Sequence, residues 1–428
     1  MLLRGKLVVT AGVGVVLTAA GLLLREGAVL ALAIPFLLYG GVLLYIRLAP
    51  PVAELSIRRS LEPERLEEGG RLEVSLAVEN RGEAIPMLGL IERPPMGCRV
   101  TEGQTVALQS LAAGETQTLS YAVQACRGVH AFASVQALVW DRWFLSTSTL
   151  SIPEESASLV QPRIEIFDTI PIRPRRTRAF AGAVKANVGG TGLDFFGCRE
   201  YVPGDDVRRI NWRAFARWNE LVVNEYEQER IADVTVILDA RERVNTRIGD
   251  TCVFDHAVRA AASLALHFLD QGNYVGLLIY GNYLDWTHPS SGRVQTERIL
   301  EALARARTAD KSVFEDLSNI PARRFPPRSQ LILVSPLADE DDVEILGILR
   351  ARGYQILLVS PNALPSKQAE PPTDESLRLA VRIAQLRRGL LLDTLRRIGV
   401  QVIDWDISEP LTVPLRGLIK GGWRHNWR

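Results

Sequence analysis

The stretch Asp233-Val234-Thr235-Val236-Ile237-Leu238-Asp239 is an almost unbroken apolar run between two acidic residues. Its length and its β-branched residues are typical of a strand that is buried on both faces. Similar runs recur at residues 274–280, 330–335, 355–360 and 400–405, and amphipathic helical patterns separate them. Strands that alternate with helices predict a doubly wound α/β domain over residues 231–428.

The carboxyl ends of parallel strands are where such a sheet binds ligands. Two acidic groups are predicted there: Asp239, and Asp339 with Asp341 and Asp342. The run resembles the first strand of a von Willebrand factor type A domain, in which Asp-x-Ser-x-Ser helps to hold a divalent metal ion. Here those positions read Asp239-Ala240-Arg241-Glu242-Arg243. A guanidinium donates hydrogen bonds and cannot coordinate a cation. The resemblance therefore implies a degenerate metal site at Asp239, Arg241, Arg243 and Asp339, without metal or cofactor, in which an arginine pairs with an acid.

Just before this domain, residues 192–230 form the most specific segment, beginning GLDFFGCREYVPGDDVRRINWRA. Pro203-Gly204 indicates a turn, Asp205 is placed to cap a helix, and Asp206 falls in its first turn. The spacing of Val207, Ile210 and Ala214 predicts one continuous helix.

Charged side chains in this segment predict a network. Arg208 and Trp212 are i,i+4 neighbours suited to cation–π stacking, and acids on the following strand would face the arginines of the helix. The predicted network comprises Glu200, Asp205, Asp206, Arg208, Arg209, Trp212, Arg213, Glu225 and Glu227.

Two functions remain open for this network. Paired carboxylates that converge in a cleft can perform acid–base chemistry, which would make the protein a metal-independent hydrolase using Asp205, Asp206, Glu200 and Glu227. Adjacent residues at the start of a helix point in different directions, however, and capping needs no chemistry. We therefore favour a structural or partner-binding role and predict no catalytic residue.

Residues 51–155 consist of short alternating runs split by Gly, Pro and Asn turns. This pattern predicts an immunoglobulin-like β-sandwich acting as a spacer or docking module. Residues 156–191 are rich in proline, glycine and arginine and predict a basic linker.

The N-terminus contains two apolar stretches, residues 7–24 and 28–46, with three residues between them. Each is close to the roughly 20 residues that cross a bilayer, so the sequence predicts a transmembrane helical hairpin over residues 1–50. Arginine and lysine lie before the first apolar stretch and after the second. By the positive-inside rule, this distribution predicts a multi-pass inner-membrane protein whose termini and soluble domains are cytoplasmic.

Composition narrows the function classes further. The 428 residues carry 50 basic and 49 acidic side chains, so the net charge of +1 gives no field that would favour nucleic acid. The four cysteines and five histidines are scattered without metal-ligand spacing, which disfavours a zinc site.

The segment from Gly192 to Glu227 closely resembles the signature of the bacterial domain-of-unknown-function 58 family, and the resemblance extends to the hairpin, the sandwich and the type A-like domain. It implies association with a MoxR-type AAA+ ATPase in chaperone-like assembly of protein complexes. We therefore expect a membrane-anchored cytoplasmic adaptor or scaffold; a hydrolase or a passive envelope-assembly scaffold are the alternatives. The oligomeric state is left open.

Overall fold

A computed structural model describes residues 2–48, 53–141, 147–167, 170, 177–178, 184–242, 247–248, 251–281, 284–308, 325–337, 340–364 and 374–420. Within these ranges the side chains of residues 2–7, 43, 46–48, 177–178, 184–194, 196, 226–230, 247–248, 251 and 417–420 are not described. The chain divides into two compact units, Met1–Val160 and Gln161–Arg428.

The first unit begins with two apolar helices, α1 (Leu2–Leu24) and α2 (Gly27–Leu48), joined by Arg25-Glu26. Glycine allows them to pack closely: a Cβ on Gly14 would lie 2.9 Å from Leu37 Cδ2.

The predicted transmembrane hairpin is wrong. Across the described part of the chain, no helix combines the length and the apolar character that a membrane span requires. The cellular location stays a prediction.

In the described residues between α2 and residue 161 there are eleven strands: β1 (Leu55–Glu62), β2 (Arg65–Glu67), β3 (Arg71–Asn80), β4 (Ile85–Ile91), β5 (Cys98–Gly103), β6 (Val106–Leu111), β7 (Thr116–Ala125), β8 (Gly128–Phe132), β9 (Val135–Trp140), β10 (Thr147–Ile152) and β11 (Ser156–Gln161). Two four-stranded antiparallel sheets, β1-β3-β7-β5 and β10-β9-β4-β6, share one hydrophobic core, and a third sheet has the order β2-β11-β8. In β3 buried and more exposed side chains alternate, which is the period-2 pattern of the sequence. Strand β11 occupies residues that the sequence assigned to the linker.

A buried ion pair lies inside this unit. The Arg59 guanidinium donates to both Glu92 carboxylate oxygens, at 3.0 and 3.2 Å, and to the Ala133 carbonyl at 2.8 Å. Both charged side chains are almost fully enclosed, with 0% and 1% of their surface exposed. Burial raises the pKa of Glu92, and the charge and hydrogen bonds of Arg59 oppose that rise.

The elements of the second unit are β12 (Thr177–Arg178), β13 (Val184–Glu200), a 3-10 helix (Val207–Arg209), α3 (Trp212–Trp218), β14 (Val222–Asp239), β15 (Arg247–Ile248), β16 (Thr251–Cys252), α4 (Val253–Asp270), β17 (Tyr274–Tyr280), β18 (Asp285–Ser290), α5 (Arg293–Arg305), β19 (Gln330–Val334), α6 (Glu340–Ala351), β20 (Gln355–Asn362), α7 (Glu375–Arg397), β21 (Gln401–Asp406) and α8 (Thr412–Lys420).

The main sheet has the order β18-β17-β14-β19-β20-β21, in which β18 is antiparallel to β17 and the other neighbours are parallel. Strands β12 and β13 also pair with β14, both antiparallel. Residues 233–239 form the central part of β14, where β17 and β19 pair on either side. One face of the sheet packs against α4, α5 and α8, and the other against α6 and α7. Both faces are therefore covered, which explains why the central strands are apolar throughout.

The segment that leads into this unit is fastened to α4. The backbone N–H of Glu165 donates to Ser263 Oγ at 2.9 Å, and that of Ile170 donates to His267 Nε2 at 3.1 Å. Gln271 also approaches His267 Nε2, at 2.9 Å. Burial lowers the pKa of His267, against an opposing contribution from Asp270. The neutral ring is therefore the form that accepts these bonds.

Strand β14 extends well beyond the main sheet. Its residues 222–230 pair antiparallel with β13, so a two-stranded ribbon projects from the central strand and carries residues 201–221 at its tip. Eleven residues of extended chain separate Val222 from Asp233, a distance of about 35 Å. The predicted boundary at residue 230 therefore falls inside one continuous strand.

Candidate functional site

An arginine occupies the carboxyl end of the central strand, where the sequence predicted a degenerate metal site. Arg241 Nε and Nη2 donate to the two oxygens of Asp239 at 2.9 and 2.7 Å. Nη2 also donates to Asp342 at 2.7 Å, and Ser335 Oγ donates to Asp239 at 2.7 Å. The ring of Tyr280 lies 5.3 Å from the guanidinium carbon. A single guanidinium thus joins two carboxylates from different parts of the chain.

This cluster is closed to solvent. The side chains of Arg241 and Asp239 are 0% exposed and that of Asp342 is 1% exposed. Burial alone would lower the pKa of Arg241, but the hydrogen bonds with Asp239 and Asp342 and the charges of Tyr280 and Asp239 raise it. Burial and the charge of Asp239 raise the pKa of Tyr280 well above its usual range. Arg241 therefore stays charged and lies between the carboxylates, the position in which a cation would compensate them.

The sequence identified part of this cluster. It predicted that an arginine would pair with Asp239, and the structure shows that pairing for Arg241. Arg243 and Asp339 lie outside the described residues. Asp342 belongs to the second acidic group that the sequence placed at the carboxyl ends of the strands, and it supplies the other carboxylate bound by Arg241. Within the described ranges, no group of three or more His, Cys, Asp or Glu side chains is arranged to hold a metal ion.

A second arginine connects the neighbouring strand ends. Arg388 on α7 donates from Nη1 to the Pro336 carbonyl at 2.6 Å and from Nη2 to Ser360 Oγ at 2.9 Å. Its Nη2 also donates to Asp404 at 2.8 Å. These partners follow β19 or lie in β20 and β21. Together, Arg241 and Arg388 link the carboxyl ends of β14, β19, β20 and β21, which are neighbouring parallel strands.

The tip of the ribbon is organised by Arg199. Its Nη1 and Nη2 donate to the two oxygens of Asp205 at 2.7 and 2.6 Å, and Nε donates to Glu225 at 2.7 Å. Arg199 is opposite Val223 in the ladder, so Glu225 is its diagonal neighbour on the same face. Asp205 additionally accepts from the Val202 backbone N–H at 2.9 Å. The fork-shaped guanidinium therefore fixes the turn to both strands.

Asp205 is strongly acidic in this setting. The hydrogen bonds from Arg199, followed by that from the Val202 N–H, lower its pKa to about 2, and the charge of Arg209 acts in the same direction. A carboxylate with so low a pKa is a weak base at neutral pH. The arrangement suits a structural anchor better than a proton acceptor.

Two short helices replace the single predicted helix. Asp206 caps the 3-10 helix by accepting from the Arg208 N–H at 3.0 Å. Ile210 is extended, and Asn211 then caps α3 by accepting from the Ala214 N–H at 3.1 Å. The predicted helix through this region is wrong because the Asn211 side chain stabilises a new helix start. The predicted cap at Asp205 is also wrong, since that carboxylate binds Arg199.

Short polar contacts fasten α3 to the ribbon. The Asn211 backbone N–H donates to the Val222 carbonyl at 2.8 Å, and its side-chain amide donates to Asn224 at 3.0 Å. Ile210 bridges to Val223, and both side chains are buried. The tip therefore has a small core of its own.

The outer surface of the tip carries large apolar side chains together with charged ones of both signs, among them Asp206 and Glu220. Trp212 and Trp218 are 58% and 64% exposed, and Val202, Val207 and Leu221 are exposed too. The Trp212 ring meets Phe215 edge-on, with centroids 6.1 Å apart. Arg208 and Arg213 are also exposed.

Of the nine predicted network residues, the structure brings Asp205 and Glu225 together through Arg199, which the sequence missed. Strand alternation could have indicated this pairing, since Arg199 and Glu225 flank the tip in two paired strands. Glu200 is exposed, with its carbonyl accepting from Arg199 at 2.9 Å. The side chain of Glu227 lies outside the described part of the chain.

Part of the chain matches the model of a known protein family. The family model described as protein of unknown function DUF58 matches residues 197–389. The chain is 22% identical over 367 residues to the uncharacterized protein YeaD of Bacillus subtilis, covering 83% of this chain and 88% of YeaD. It is 30% identical over 145 residues to an uncharacterized protein of Mycobacterium tuberculosis, covering 33% of this chain and 45% of that protein.

Among solved structures, a FixG-related protein from Vibrio parahaemolyticus shares 14% identity with a TM-score of 0.17, covering 25% of this chain and 95% of that one. A likeness this low carries no argument about fold or function. The family match includes the end of the ribbon, its tip and the sheet up to α7. Residues 197–389 thus match the DUF58 family model, and this match agrees with the resemblance predicted from Gly192 onward.

Proposed function

We propose that this protein is a non-enzymatic adaptor that binds a protein partner through the tip of the β13–β14 ribbon. The observation that carries the proposal is the exposure of Trp212 and Trp218 on a tip whose backbone is fixed by Arg199. Large aromatic side chains are normally buried, and their exposure on a monomer marks candidate interaction sites.

The composition of the tip supports a protein interface. Tryptophan and arginine are the residue types that most often dominate binding energy at such interfaces. Here two exposed tryptophans accompany Arg208 and Arg213 within a short segment. The Arg199 hydrogen bonds hold the turn in place before binding, which reduces the ordering cost of association.

The state of the acidic groups supports an adaptor over a hydrolase. Asp205 is bound by Arg199 and has a pKa of about 2, and Asp206 caps a helix. At the sheet edge, Arg241 holds Asp239 and Asp342 in a sealed cluster. Each of these carboxylates already has a structural partner.

The family resemblance suggests the partner, a MoxR-type AAA+ ATPase acting in assembly of protein complexes. The test measures the affinity of the purified protein for the MoxR-type ATPase of the same genome, in the presence of ATP, by biolayer interferometry. We expect Trp218→Ala to weaken binding about 30-fold, the effect of losing one interface hot spot. The matched control is Val294→Ala on α5, because Val294 is 63% exposed and Trp218 is 64% exposed.

Unchanged affinity in Trp212→Ala and Trp218→Ala, with tight binding by the wild type, would place the interface elsewhere. Absence of binding by the wild type would contradict the ATPase as partner. Turnover of a substrate that is lost in Asp205→Asn would contradict the non-enzymatic role.

A further inference from the structure

A second surface, on helix α7, has the features of a binding site. Four large apolar residues on this helix face solvent: Leu379, Ile383, Leu386 and Leu390, which we call the α7 seam. They are between 44% and 69% exposed. Their spacing of four, three and four residues is that of the a and d positions of a coiled coil.

The seam points away from the domain. At about 100° per residue, the four side chains fall within roughly 60° of one another on the helix surface. Leu392 and Leu395 pack in the core beneath α7 and lie about 150° from the centre of the seam. On the side that faces the sheet, Arg388 is bonded to three strand ends. One face of helix α7 therefore packs against the domain, and the opposite face, with the seam, is exposed to solvent.

The narrow width of the seam favours a helical partner. A helix that lies on a membrane or a broad protein core uses an apolar face of 100° or more, whereas a strict a/d stripe suits a coiled-coil contact. Leu377 is exposed too, but it lies on the opposite side of the helix from the seam.

Charged residues beside the seam indicate which charges a partner helix should carry. With Ile383 at a and Leu386 at d, Arg382 occupies position g and Arg387 occupies position e, and both are exposed. These positions face the e and g positions of a partner helix. A second copy of α7 would bring arginine against arginine in either orientation, which is unfavourable. Acidic residues would complement them.

We propose that the α7 seam binds an amphipathic helix of another protein, with apolar a and d positions and acidic e and g positions. The proposal concerns a surface separate from the ribbon tip and does not depend on the partner proposed there.

The test uses the full-length protein and a fluorescent synthetic peptide of four heptads, with Leu at a and d and Glu at e and g. Its matched control carries Lys in place of Glu. We expect the Glu peptide to bind roughly tenfold more tightly in fluorescence anisotropy at low salt, because favourable ion pairs replace repulsive ones. Arg382→Glu combined with Arg387→Glu should reverse the preference, and Ile383→Asp combined with Leu386→Asp should remove binding of both peptides.

Equal affinity for the two peptides would overturn the proposal. So would binding only to vesicles containing phosphatidylglycerol, since that result would assign the seam to a lipid surface. Dimerisation in sedimentation experiments that is lost in Leu386→Asp would show that a second copy occupies the seam. Finally, a thermal midpoint that falls in Leu386→Asp by more than the few degrees expected from helix propensity, without any partner, would show that the intact chain itself covers this residue.

Discussion

Replacement of Arg241 by serine tests how much the buried cluster at the carboxyl end of β14 contributes to stability. The substitution removes the hydrogen bonds from Nε and Nη2 to Asp239 and from Nη2 to Asp342. It leaves two carboxylates, 0% and 1% exposed, without their counter-charge. Removal of one partner from a buried ion pair costs about 3–5 kcal/mol. The whole penalty falls on the second unit, because all three residues belong to it.

The assay is thermal unfolding followed by calorimetry. At roughly 2–4 °C per kcal/mol for a domain of this size, the unfolding transition of the second unit should fall by about 6–20 °C. The control is Arg305→Ser, which breaks an exposed pair with Glu301 whose side chains are 62% and 51% exposed. Exposed pairs contribute about 1 kcal/mol or less, so the control should shift by a few degrees at most. Equal shifts in the two variants would refute the reasoning.

The same variant tests whether the position suits a cation. Arg241→Ser leaves the oxygens of Asp239, Asp342 and Ser335 around the vacated volume, and hard divalent cations prefer oxygen ligands. We expect Mg²⁺ to raise the unfolding temperature of the variant in proportion to the logarithm of its concentration and to leave the wild type unchanged. Titration calorimetry without Mg²⁺ binding to the variant would mean that further ligands are needed.

Three further predictions concern other parts of the molecule. Glu92→Gln should destabilise the first unit by about 3–5 kcal/mol in urea unfolding, because it leaves Arg59 buried without a counter-charge; a loss below 1 kcal/mol would contradict that account. The lowered pKa of His267 implies that its contribution to the free energy of unfolding is complete above the unfolded pKa of about 6.5 and decreases as the pH falls below it. Because glutamine cannot titrate, the stability of His267→Gln should decrease less than that of the wild type between pH 7.5 and 5. Arg199→Met should raise the pKa of Asp205 from about 2 toward 3.8, which carboxyl NMR titration would detect, while Arg199→Lys should retain part of the lowering.

The main sheet could be predicted closely from the sequence because its signal is local. The run at residues 233–239 is apolar throughout, and only a strand covered on both faces tolerates that composition. The amphipathic period of residues 254–269 likewise placed α4, observed at Val253–Asp270, within a residue at each end. When a whole helix or strand is buried, the apolar pattern of its own residues indicates that burial.

The candidate site was less predictable because its contacts join distant residues. The pairing of Arg241 with Asp239 spans two positions and could be anticipated, whereas that with Asp342 spans 101 residues. Near the tip, the choice of Asp206 over Asp205 as helix cap depends on where Arg199 lies after the strands pair. The local sequence allows either acid to cap.

Arg241 differs from a bound metal ion in one respect that affects regulation. Its positive charge is synthesised with the chain, so it has no dissociation constant and no exchange rate with the surrounding solution. Neither a chelator nor a change in free magnesium can remove it from its carboxylates. The charge balance at the end of the central strand is thus set once, at translation, and stays the same through every later change in cellular ion content.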